Sequence, residues 1–167
     1  MKKFDIDEVR DFIARQTPET KVYIGCDSYR FKKEGVWYAR YTTVCVVHIN
    51  GKNGCRVFGD IDTERDYDQK KDAPRMRMMN EVYRSVGMYL KLAEVIGDRE
   101  IELHVDINKD KKHGSNVAYA EAMGYVRGVC GIDAVAKPDA LASSFAADHF
   151  RTYGGKKEGR RERAVAA

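Results

Sequence analysis

Three carboxylates fall where a reaction centre could use them. The stretch "YIGCDS" ends an apolar run on Asp27, "LHVDIN" places Asp106 near the end of another, and "FAADHF" carries Asp148 in a helical stretch. Taken alone, an aspartate at a strand end most often shapes a turn or caps a helix, and Asp148 has Arg151 close by as an ion-pair partner. Side by side, however, Asp27 and Asp106 would repel, and a bound divalent cation is the usual remedy. Mg²⁺ or Mn²⁺ suits an all-oxygen ligand set, because such hard ions take carboxylates and keep waters the protein need not replace. Two of them can activate a water and stabilise the leaving oxygen of an in-line phosphoryl displacement. A fourth acid is then expected from the longest helix, where Glu81 is the candidate. It sits on the flank of the arc Met78, Val82, Ser85, Val86, Tyr89 and Ala93, a phase equally open to a solvated glutamate.

Other groups cluster around these acids in sequence. "NKDKKHGSN" follows Asp106 directly, so Lys109, Lys111, Lys112 and His113 either grip phosphates beside the acids or form an exposed lysine-rich loop. Ser115 and Asn116 suit a helix cap. Ser28 either donates a hydrogen bond near the metals or caps a turn, and His104, on the face of Asp106, either supports the site or packs within the sheet. The run "DIDTERDYDQKKD" (60–72) starts like a calcium loop but has Arg65 where a glycine is needed and Lys71 where a bidentate glutamate is needed. It reads as a solvated connection in which only Asp60 or Asp62 could border the metals. No phosphate-cradling glycine loop, dinucleotide fingerprint or serine elbow is present. The four cysteines lack C-x-x-C spacing and the four histidines are scattered, which argues against zinc.

The elements that must position these groups follow from periodicity. Residues 5–16 set Val9, Phe12 and Ile13 at helical spacing behind Asp5 or Asp7 as a cap. "KVYIGCDS", "WYARYTTVCVVHI" (37–49) and "CRVFGDI" (55–61) are strands joined by "YRFKKEG" and by the Asn-Gly-rich "NGKNG", hence an antiparallel meander. A long helix spans 73–97, ending at Gly97. "EIELHVDIN" (100–108) alternates as a fourth strand, a helix follows over about 116–129, and "IDAVAK" is a short fifth strand. "PDALASSFAADHFRT" opens with a first-turn proline and continues as a last helix. Strands separated by helices run parallel through right-handed crossovers, so the expected fold is α/β: a mixed five-stranded sheet with helices on both faces.

A chain of 167 residues fits one domain able to bury its own core. Its net charge of +4 is uneven. The last 17 residues, "RTYGGKKEGRRERAVAA", hold six of the 30 basic side chains and two of the 26 acidic ones, so residues 1–150 balance at 24 each. That tail, residues 153–167 in the domain division, reads as disordered; Arg160 and Arg161 in it either meet a phosphate backbone or keep the chain soluble. The remaining division is an appended N-terminal helix over 1–19 and a domain over 20–152. No apolar run approaches the roughly 20 residues of a membrane span, and the thiols in apolar strands suit a reducing compartment, so a cytoplasmic protein without membrane contact is expected.

The order of elements, with acids on the first strand, first long helix, fourth strand and last helix, resembles the ribonuclease H fold. More closely, "YIGCDS", "RMMNEVYRS", "LHVDIN" and "KPDALASSFAADHF" are similar to the YkuK-type ribonuclease H-like family of bacterial and phage proteins over about residues 20–152. The resemblance implies a ribonuclease H-like fold with Asp27, Glu81, Asp106 and Asp148 as metal ligands and catalytic acids. Asp139 is an alternative to Asp148. It also implies Mg²⁺- or Mn²⁺-dependent cleavage of RNA, DNA or a hybrid, with Ser28, Lys109, Lys111, Lys112, Arg160 and Arg161 as nucleic-acid contacts. The same architecture also serves non-catalytic binding modules.

Overall fold

The computed structural model describes residues 4–68 and 74–140. In chain order the elements are α1 (Ile6–Ala14), β1 (Lys21–Lys33), β2 (Val36–His48), β3 (Cys55–Arg65), α2 (Arg75–Ile96), β4 (Ile101–Asn108), α3 (Tyr119–Cys130) and β5 (Val135–Lys137). Short 3₁₀ turns cover Ile49–Gly51 and Gly114–Ala118. The strands form one sheet in the order β3-β2-β1-β4-β5. β1, β2 and β3 pair antiparallel, whereas β4 runs parallel to both β1 and β5. This is the mixed five-stranded α/β sheet expected from the sequence.

The meander is longer than its apolar residues suggested. "YRFKKEG", expected as a connection, continues β1 to Lys33, with Tyr29 opposite Arg40 and Phe31 opposite Tyr38. The turn shrinks to Glu34 and Gly35, whose φ of 50° and 81° meet the demand of a tight hairpin for positive φ at both central residues. Likewise β3, expected to end at Ile61, continues through residues 62–65 of the expected solvated connection and pairs with β2 as far as Tyr38. Charged side chains tolerated on an exposed strand hid the alternation in both places.

All three described helices lie on one face of the sheet. Val22, Ile24, Cys45, Val47 and Phe58 pack there against Met88, Leu92 and Ile96 of α2, together with Val9 and Ile13 of α1. Leu103, Val105, Ile107 and Ala136 continue that face and meet Met78, Val82 and Val86 of α2 and Ala122 and Val126 of α3. The Asp5 carboxylate caps α1 by accepting from the amide of Asp7 at 3.0 Å. Val9 and Ile13 are fully buried, so the helix read as an appendage is part of the core. The opposite face presents Tyr23, Gly25, Asp27, His104 and Asp106 with Thr42 and Val44 of β2, of which Gly25, Thr42, Val44 and His104 are buried. The expected last helix lies outside the described residues beyond Ala140. Among the described residues no helix is long and apolar enough to cross a membrane.

Candidate active site

The parallel ladder between β1 and β4 ends at Cys26 opposite Val105. Asp27 and Asp106 are the next residues on the two strands, on the face away from the helices, where neighbouring strands lie roughly 5 Å apart. Sequence alternation alone therefore delivers the two carboxylates to one edge. A break in register sharpens the placement: β4 pairs with β5 at Val105 and again at Asn108, while β5 advances by a single residue. Asp106 and Ile107 thus sit in a bulge, a device that re-aims side chains and is frequent beside active sites. The Lys137 ammonium on β5 contacts Asp106 Oδ1.

Glu81 enters from the helix side. It is 3% exposed, which excludes the solvated position its helical phase left open. Ser28 Oγ donates to Glu81 Oε1 at 2.5 Å, and Arg77 Nη1 donates to Ser28 Oγ at 2.8 Å and to the Ser28 carbonyl at 3.2 Å. Arg77 also lies 3.8 Å from Glu81, one helical turn away. Ser28 is therefore a buried link inside β1 and its hydroxyl is engaged by Glu81 and Arg77. Glu81 Oε2 is buried with no hydrogen-bond partner. Burial pushes the Glu81 carboxyl well above the ordinary range; Ser28 pulls it down, Asp27 and Asp106 push it further up, and Arg77 opposes them. Three carboxylates consequently feel one another at the end of the ladder.

The start of α2 is anchored by a residue that the sequence left in a loop. The buried Asp68 carboxylate accepts from the amides of Met76 at 3.0 Å and Arg77 at 2.8 Å, satisfying two of the unpaired N–H groups every helix start carries. Arg30 holds that loop, donating to the Asp68 carbonyl at 2.6 Å and pairing with Asp66 at 2.6 Å. Asp68 and Arg30 in this way fix the first turn that aims Arg77 and Glu81. The sequence reading missed Arg77, although its i, i+4 spacing to Glu81 is a local signal that could have found it. The parts played by Asp68, Arg30 and Lys137 depend on contacts distant in sequence and carried no local signal.

The other candidates separate from this centre. Arg84 takes the Asp62 carboxylate at 2.7 Å on the helix face, and Asp60 is exposed there. His104 is buried, with Nε2 2.8 Å from Glu102 and its ring edge-on to Tyr23, as a packed histidine within a sheet. Lys109 pairs with Asp139 at 3.1 Å, and Lys111, Lys112 and His113 are exposed. Asp148, Arg160 and Arg161 lie outside the described residues.

The donors suit a hard divalent ion in kind: they are carboxylates, and one buried oxygen is unsatisfied. Among the described residues no three acids, histidines or cysteines stand close enough to hold an ion by themselves. The arrangement accounts for this, since Glu81 approaches from the helix face and Asp27 and Asp106 point to the other.

A family model described as ribonuclease H-like matches residues 5–152, which includes α1. No curated protein and no solved structure matches the chain.

Proposed function

The chain belongs to the ribonuclease H-like family, and from that membership and the carboxylates at the end of the β1–β4 ladder we propose that it hydrolyses phosphodiester bonds of nucleic acid with the help of Mg²⁺ or Mn²⁺. The observation that carries the proposal is Glu81, a buried acid with an unsatisfied oxygen, pressed by the fields of Asp27 and Asp106. A structural glutamate would be paired; this one is compensated only in part. Asp27 and Asp106 would hold the ions at the ladder end, with Asp148 as a further acid, while Glu81 would act on them through its field from the helix side. The ions would supply Lewis acidity and a water activated at neutral pH. Ser28 and Arg77 fix the Glu81 carboxyl, and Lys109, Lys111 and Lys112 attract the phosphate backbone beside Asp106. The test is a cleavage assay on RNA, DNA and hybrid substrates with Mg²⁺ or Mn²⁺. Asp27→Asn is expected to abolish cleavage, by about a thousandfold or more, with an unchanged circular dichroism spectrum. Absence of cleavage by the unmodified chain across the whole panel contradicts the proposal.

A second reading, a non-catalytic nucleic-acid-binding module, is favoured by one observation: the Lys137 ammonium contacts Asp106 and gives it a counter-charge from the chain itself. That reading expects nucleic-acid binding that weakens with salt, ignores chelator and declines when residues 154–167 are deleted. Binding indifferent to salt contradicts it.

A further inference from the structure

Beyond Asp27, β1 and β2 continue as a hairpin whose residues 29–40, "YRFKKEGVWYAR", carry four aromatic and four basic side chains against one acid. The register divides them between two faces. Phe31, Lys33, Tyr38 and Arg40 share the face of Asp27, with Tyr29 joining them to it and Arg65 of β3 opposite Tyr38. The Phe31 and Tyr38 rings are 5.8 Å apart and inclined by 24°, close to parallel. The exposed Arg40 guanidinium lies 5.8 Å from the Phe31 ring centre and 6.0 Å from that of Tyr29. Lys33 and Arg65 are likewise exposed.

We propose that this face of the hairpin is a binding track for single-stranded nucleic acid that leads a strand to the Asp27 end of the sheet. Partly exposed rings on a strand surface offer stacking platforms to unpaired bases, each worth roughly five- to a hundredfold in affinity. Arg40, Lys33 and Arg65 supply cations to the phosphates between those bases. A duplex hides its base faces and cannot use the rings, so the track selects unpaired strands. Strand pairing also sets the direction. Asp27 and Phe31 are four residues apart on one strand face, roughly 13 Å, so a strand stacked on Phe31 and Tyr38 reaches the carboxylates within a few nucleotides. The proposal deepens the nuclease reading and rests on it for the substrate class.

The experiment measures fluorescence anisotropy of labelled oligothymidylate, oligouridylate and a duplex of the same length, in chelator so that nothing is cleaved. The full chain is expected to bind the single strands more tightly than the duplex. Phe31→Ala combined with Tyr38→Ala is expected to weaken single-strand binding by at least about tenfold. Arg40→Glu, at an exposed position that leaves the core intact, is expected to weaken it and to flatten its salt dependence. Equal affinity for duplex and single strand, or unchanged affinity in both variants, overturns the track. The cleavage assay separates the two claims: unchanged binding variants with intact metal-dependent cleavage remove the track alone, and ring-dependent binding without cleavage removes the nuclease alone.

Discussion

At Glu81, burial and the fields of Asp27 and Asp106 favour the neutral acid, while Ser28 and Arg77 favour the carboxylate. The balance raises its proton affinity above that of the unfolded chain, where a glutamate titrates near 4.5. Above that pH the folded protein holds a proton that the unfolded chain has released. Glu81 therefore makes stability fall with rising pH, from about 4.5 up to its raised folded value. In metal-free buffer, urea titrations across this window should show the wild-type chain losing stability relative to Glu81→Gln, which cannot ionise. Parallel pH profiles for the two would contradict the account. Asp27 and Asp106 were legible in sequence because strand alternation fixes the face of a side chain. The burial of Glu81 was not, because its helical phase sits on the margin between core and solvent, and only the position of Ser28 decides it. The contact of Lys137 with Asp106 was hidden for a different reason: it needs β5 laid parallel to β4 and a bulge in β4.

At the level of elements, the strands and helices of the described residues lie where apolar periodicity placed them, and errors gathered at the ends. "YRFKKEG" looked like a connection because Arg30, Lys32 and Lys33 interrupt it, yet Tyr29 and Phe31 keep the alternation and find cross-strand partners. The same happened at residues 62–65. Both extensions matter for function, since they build the aromatic and basic hairpin and place Asp66 and Asp68 at the start of α2. The N-terminal helix is a second case. Read as an addition ahead of the domain, α1 contributes Val9 and Ile13 to the cluster that seats α2 on the sheet. Ile13→Ala should accordingly cost about 2–5 kcal/mol in denaturant unfolding, as truncation of a core residue does. A loss within about 0.5 kcal/mol, the range of a surface substitution, would show that the helix is dispensable.

At the scale of the molecule, the three described helices lie on one face, and among the described residues the other presents Asp27, Asp106 and the hairpin track, so the carboxylates and the cations that would guide a nucleic-acid strand share a single side of the sheet. The fold was readable because a meander followed by alternating helices and strands admits few topologies. The full carboxylate set was less so, because Glu81 reaches the ladder end from the opposite face. Membership of the ribonuclease H-like family agrees with this layout, and the second reading turns on whether Lys137 or a divalent ion is the natural counter-charge of Asp106. A crystal of the full chain soaked in Mn²⁺ decides between them. The account predicts anomalous density between Asp27 and Asp106, with Lys137 displaced from Asp106; saturating Mn²⁺ with no density there and Lys137 still on Asp106 would contradict it.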